Sequence, residues 1–219
     1  MTSLGTYQTQ VVAAMKETGR ADQNHGRQNV IGGSGSIVGY LIPVGTSFLD
    51  DAETIRCMTE WREATQFAFP SRFPVSRDRT ATWLASQVVN RSDRLLFLVT
   101  EQSGTPVGHL GVQLNLADPS SVELDNVVRG NRSSPGLMGY ALKALERWCA
   151  DHLKAAEMIL QVLESNHHAR AFYDRYGYLE LKRVSMEWDW DGNEGQLIPA
   201  TGEPDDQMIT MSLQLAGSP

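Results

Sequence analysis

The sequence predicts an α/β protein, a central mixed and twisted sheet flanked by helices. Three stretches carry this expectation. Residues 122–128 are rich in β-branched side chains and free of Gly and Pro, a helical pattern starts at Gly136, and a second apolar run covers 158–163. Strand, helix and strand in that order form the crossover that parallel strands need. Residues 95–100 and 106–115 flank a short turn containing Gly104, which reads as an antiparallel hairpin. Residues 179–190 and 207–215 read as a closing antiparallel pair, so the sheet must be mixed.

The elements follow in chain order. Residues 1–36 read as a flexible N-terminal arm, because 21–35 are polar and end in Gly-Gly-Ser-Gly. One domain then spans 37–219, with a first strand at 37–44. Ser47, or the Asp50-Asp51 pair, caps a helix over 52–69 that Pro70 ends. A second helix covers 77–89 and turns Trp83, Leu84 and Val88 inward. The hairpin follows, and a turn with Asp118-Pro119 leads into the central strand. In the crossover helix Leu137, Tyr140, Ala141, Ala144, Leu145 and Trp148 recur at helical spacing. Residues 191–206, rich in Gly, Pro and acids, read as a loop.

Composition narrows the function. A chain of 219 residues, 41% of them apolar, suffices for one well-buried domain. A net charge of −7 argues against a nucleic-acid partner. There is no bilayer-length apolar run and no basic-then-apolar start, so a cytoplasmic enzyme without a membrane partner is expected. Cys57 and Cys149 lie in helical segments and read as free buried thiols.

The chemistry gathers around the central strand. After it come Arg129, Gly130, Asn131, Arg132, Ser133, Ser134 and Pro135, with Ser134 suited to the N-cap and Pro135 to the first helical position. The first-turn N–H groups of Gly136, Leu137 and Met138, with the helix dipole, make a site for an anion such as a diphosphate. Arg129 and Arg132 stand beside it. Along the strand the side chains alternate, so Glu123, Asp125 and Val127 share a face opposite Val122, Leu124, Asn126 and Val128. Two carboxylates on one face of an apolar strand are unusual, because unpaired burial is costly, and such a pair raises the pKa of one partner. Trp61, Arg62 and the phenylalanines Phe67, Phe69 and Phe73 form an aromatic segment, either core or pocket. His167 and His168 are adjacent and point apart, so no metal is expected.

Beyond residue 163 the chain carries Asn166, Ala169, Phe172, Tyr173, Gly177 and Tyr178 in the pattern N-x-x-A-x-x-F-Y-x-x-x-G-F/Y. With the strand, anion loop, helix and strand before it, this resembles the GNAT family of N-acetyltransferases over roughly residues 41–181. The family's loop pattern, Q/R-x-x-G-x-G/A, is met in part: with Gly136 as its first glycine, Ser133 takes the first place and Met138 the last.

The resemblance implies the acyl-CoA N-acyltransferase fold and transfer of an acetyl or short acyl group from acetyl-CoA to an amine. A strand carboxylate serves such enzymes as base, directly or through water, which puts Glu123 first and Asp125 second. Tyr173 matches the tyrosine that protonates the departing thiolate, and Asn166 the asparagine that bonds the pantetheine arm. The rest of the coenzyme site would be the main chain of Asn126, Val127 and Val128, with the Val127 N–H at the thioester oxygen, and Arg129, Arg132, Ser134, Gly136, Leu137, Met138 and Phe172. The acceptor, a small-molecule amine, would meet Trp61, Arg62 and Phe69. A faint likeness to amino-sugar N-acyltransferases suggests a nucleotide-linked amino sugar, with a polyamine, an aminoglycoside or a protein amine as alternatives. A non-catalytic acyl-CoA-binding module and a homodimer also stay open.

Overall fold

The structure, a computed structural model, describes residues 3–18 and 26–216. In chain order these form α1 (Leu4–Thr18), β1 (Gln28–Ile31), β2 (Ile37–Pro43), α2 (Ala52–Thr65), β3 (Ser71–Arg72) and α3 (Arg77–Trp83). The hairpin β4 (Arg94–Glu101) and β5 (Pro106–Leu114) leads to β6 (Ser121–Arg129), α4 (Leu137–Trp148), β7 (Glu157–Leu163) and α5 (His167–Arg175). Strands β8 (Leu179–Asp191), β9 (Glu194–Pro199) and β10 (Asp206–Gln214) close the chain. Ten strands make one mixed sheet in the order β1-β2-β4-β5-β6-β7-β10-β8-β9-β3.

Strand β4 shows how the layers arise. Leu95, Phe97 and Val99 face one side, where Val12 of α1 and Leu142, Leu145 and Trp148 of α4 cover them. Leu96 and Leu98 face the other, against Met58 and Trp61 of α2 and Leu84 and Val88 just beyond α3. A strand covered on both faces is apolar throughout, as its sequence is. Asp51 begins α2, its carboxylate accepting from the N–H groups of Glu53 (3.1 Å) and Thr54 (3.2 Å).

Two features of β6 create the site. It pairs in parallel with β7, as the crossover predicts, but only over Ser121, Val122 and Glu123. Beyond Glu123 the two strands part. On its other side β6 pairs with β5 as Gly111↔Asp125 and then His109↔Val128, so one extra residue sits in β6 between these pairs. This is a β-bulge, with Asn126 at a φ of 50°.

The N-terminal residues depart from the expected flexible arm wherever they are described; residues 19–25 lie outside the described part. Val12 and Val30 are fully buried, and β1 pairs with β2. Gln8 Nε2 donates to the carbonyls of Pro119 (2.7 Å) and Leu153 (2.8 Å). Lys16 Nζ donates to the carbonyls of Val88 (2.6 Å), Val89 (3.3 Å) and Arg91. Polar side chains that satisfy loop and helix-end carbonyls dock this helix, and a hydrophobic pattern does not announce that. The expected loop at 191–206 also contains β9, which pairs with β8 and buries Leu197 against Leu163, Met186 and Met208.

Candidate active site

Where β6 and β7 diverge they leave a wedge-shaped cavity of about 210 Å³. Glu123, Asp125, Asn126 and Val127 line it from β6, Gln161 and Val162 from β7, Asn166 and Tyr173 from the start and middle of α5. Phe69 and Pro70, in the segment after α2, line it as well.

The two acids of β6 are not equivalent. Asp125 forms an ion pair with Arg94, 3.1 Å from Nε to Oδ2, and Arg94 also donates to Gln113 at 2.6 Å. Glu123 is half-buried and has no such partner among the described residues; its pKa is raised, first by burial and then by Asp125 beside it, with Arg94 pulling the other way. A carboxyl poised above its ordinary range is the better general base. Tyr173 is buried, and desolvation, with the charge of Asp125 behind it, raises its pKa. Its hydroxyl therefore stays protonated through the neutral range and can donate. Asn166 caps α5, its Oδ1 accepting from the Ala169 N–H at 3.2 Å.

The bulge corrects the expected alternation along β6. Glu123 and Asp125 do lie on one face, but the extra residue shifts the phase beyond them. Val127 packs toward the α4 side of the sheet, and Val128 joins the α2 cluster. The bulge has its own support. His109 of β5 is buried, and its Nδ1 lies 2.7 Å from the Asn126 carbonyl. Burial lowers its pKa to about 4, so the ring is neutral, and Nδ1–H donates to that carbonyl while Nε2 keeps a lone pair.

The anion loop differs from expectation in its cap. Ser134 does not cap α4: its hydroxyl donates to Glu101 at 2.5 Å, as Ser133 does at 2.6 Å. Gly136 stands at the cap position with φ 84°, a left-handed conformation that favours glycine. The Leu137 N–H is taken by the Ser134 carbonyl at 3.3 Å, whereas those of Gly136 and Met138 have no main-chain partner among the described residues. The Leu137 and Met138 side chains are buried, so only their main chain could meet a ligand. Arg129 and Arg132 are exposed on the loop, and Arg129 Nε reaches the Asn131 carbonyl at 3.4 Å.

A second cavity of about 160 Å³ lies between α2, α3 and the bulge. Arg62, Phe69, Phe73, Thr80, His109 and Asn126 are on its wall, and Phe69 and Asn126 line the wedge as well. The Arg62 guanidinium lies 3.8 Å from the Phe69 ring centre and 5.0 Å from that of Phe73. Trp61 does not line either cavity. It packs in the α2 core over Gly130, where a Cβ would fall 2.0 Å from the indole, so Gly130 is the residue that admits it.

Residues 46–179 match the family model of the acetyltransferase (GNAT) domain, well over half of the chain. The chain belongs to the GNAT acetyltransferases. It is an acetyl-CoA-dependent N-acetyltransferase of that family. Solved structures share its fold at low identity. A probable GNAT acetyltransferase from Chromobacterium violaceum is 17% identical with a TM-score of 0.62, covering 82% of this chain and 84% of its own. The Salmonella typhimurium acetyltransferase that modifies the N-terminal serine of a 50S ribosomal subunit protein is 12% identical (TM-score 0.61; 83% and 97% covered). The Vibrio cholerae spermidine/spermine N-acetyltransferase is 14% identical (TM-score 0.55; 81% and 93% covered). No curated protein matches the chain.

In this acetyltransferase the wedge brings together Glu123, Asp125, Asn126, Val127, Asn166 and Tyr173. Phe172 does not line it, packing instead edge-on against Tyr173 with ring centres 5.4 Å apart. The Val128 side chain lines the second cavity instead. Sequence reasoning missed His109 and Arg94. A lone histidine in an otherwise apolar strand was a visible signal for the first. Among the described residues no cluster of three or more His, Cys, Asp or Glu could hold a metal, and no helix is long and apolar enough to cross a membrane.

Proposed function

We propose that the enzyme moves an acetyl group from acetyl-CoA to the primary amine of a small molecule, using the wedge between β6 and β7. The observation that carries this is the pairing of β6 with β7, which ends at Glu123 and leaves main chain unpaired inside the sheet. A pantetheine arm fits such a slot because it offers amide N–H and C=O groups as a strand would. The free N–H groups of Gly136 and Met138, with Arg129 and Arg132 nearby, suit the diphosphate. Asn166 stands where the arm would pass.

The chain's own residues then divide the work. Glu123 takes the ammonium proton, and the freed nitrogen lone pair attacks the thioester carbon. The Val127 N–H receives the developing oxyanion. As the C–S bond breaks, Tyr173 donates its proton to the leaving sulfur, and the second proton, shed by the nitrogen as it becomes an amide, returns to the phenolate. Met138 in place of the family's glycine does not argue for a non-catalytic module, since its side chain turns into the core. Isothermal titration with acetyl-CoA, followed by thiol release against a panel of amines, tests the reading. Micromolar binding with release on one amine supports it, and absence of acetyl-CoA binding overturns it.

A further inference from the structure

The second cavity holds a charge that no acid among the described residues compensates. Arg62 is largely buried, and its pKa falls to about 10 through desolvation alone, with no acid contributing. Its Nη2 donates to the Ser71 carbonyl at 2.9 Å and to the Ser71 hydroxyl at 3.2 Å. Its Nη1 is shielded from solvent and has no partner among the described residues. The other arginine of the cavity, Arg79, is different: Glu194 pairs with it at 2.5 Å. Buried guanidinium groups are ordinarily matched by an anion, and this one is not.

The remaining walls describe what would match it. They are mostly apolar, with Met58, Phe69, Phe73 and Trp83 prominent. His109 has one hydrogen bond among the described residues, from Nδ1, which leaves Nε2 as an acceptor. At about 160 Å³ the space is well below the 300 Å³ or more of drug-sized ligand sites. A nucleotide-linked sugar would leave most of its bulk outside, and a polyamine carries no anion for Arg62. Phe69 and Asn126 belong to both cavities, so the two spaces adjoin.

We infer that the acceptor is a free amino acid with an apolar side chain, its carboxylate on Arg62 and its amine directed past Phe69 and Asn126 to the adjoining wedge. This rests on the reading of the wedge as the acetyl-transfer site. With Nη2 held by Ser71, the Nη1 N–H groups are the ones left to meet a carboxylate, a charge that neither an amide nor a simple amine offers. The aromatic rings around Arg62 hold its plane and take the apolar side chain.

The test compares acids with their own amides in the wild-type enzyme. Thiol release from acetyl-CoA is followed with L-leucine and L-phenylalanine, with leucinamide and phenylalaninamide, and with isoamylamine and phenethylamine. The expected result is a kcat/KM for the acids about tenfold or more above the others, the size of one charge-assisted contact. The amides' amines are less basic and more often unprotonated, so the acids must win against that handicap. Arg62→Gln should bring acid and amide toward parity by raising KM for the acids. Should that variant fail to fold, wild-type thermal shift with L-phenylalanine against phenylalaninamide reads the same preference. Amides or amines used as well as the acids would overturn the inference while leaving acetyl transfer intact. Acetyl-CoA binding without transfer to any of the acids would overturn it too. Loss of acetyl-CoA binding itself would instead bring down the reading of the wedge.

Discussion

Two residues in the wedge differ in how they can be tested. Tyr173→Phe removes the donor and keeps the ring, so kcat should fall by about 10²- to 10⁴-fold while acetyl-CoA affinity measured by titration holds. An equal loss of affinity would mean that the residue packs rather than donates. Glu123 has a raised pKa, so the acidic limb of the kcat/KM profile should lie above the ordinary carboxylate range, near 4.3, and should vanish in Glu123→Gln. An unchanged limb in that variant moves the role to Asp125 or to water. Both acids were legible in the sequence because alternation held as far as Asp125. What separates them was not, since Arg94 lies 31 residues upstream of Asp125 and meets it only across the sheet. Asn126 at positive φ was also hidden, although Asn is one of the few residues that accepts that conformation.

The elements show where sequence pattern is informative and where it is silent. The crossover helix α4 and the strands around it announce themselves through long apolar periodicity. Helix α1 does not, because its docking depends on Gln8 and Lys16 reaching carbonyls far away in the chain. Replacing Lys16 with Met would strand those carbonyls, and urea unfolding should show a loss of about 1–3 kcal/mol. The N-terminus of α4 makes a separate prediction. Gly136→Glu puts a charge and a strained backbone where the diphosphate would lie, and should abolish acetyl-CoA binding. Gly136→Ala carries the strain without the charge, so the difference between the two variants reports the anion site. Ser134 was a reasonable N-cap by residue type, but Glu101 from the neighbouring hairpin claims its hydroxyl, a tertiary contact that no local rule contains.

At the scale of the molecule, two apolar layers clasp one sheet, and a neutral histidine lies buried in that sheet. His109 titrates at about 4 when folded, against an ordinary 6.5. The unfolded chain binds the extra proton first, so stability is full above pH 6.5 and is lost as pH falls through 4. The loss is on the order of 3 kcal/mol. Thermal melts across that window should slope downward in acid, and His109→Leu should flatten the slope. The fold class was legible because strand and helix periods alternate clearly from β4 to α5. The wedge was not, since nothing in β6 or β7 taken alone says where their pairing stops. That wedge bears on which edges the sheet offers to other chains. Unpaired strand edges invite other chains to add on, and the two outer strands of this sheet are blunted by length: β1 has four residues and β3 two. The longer unpaired stretch, along β6, lies in mid-sheet between diverging neighbours. There β5 and β7 stand on either side, so this stretch is not offered to another chain as an open outer edge.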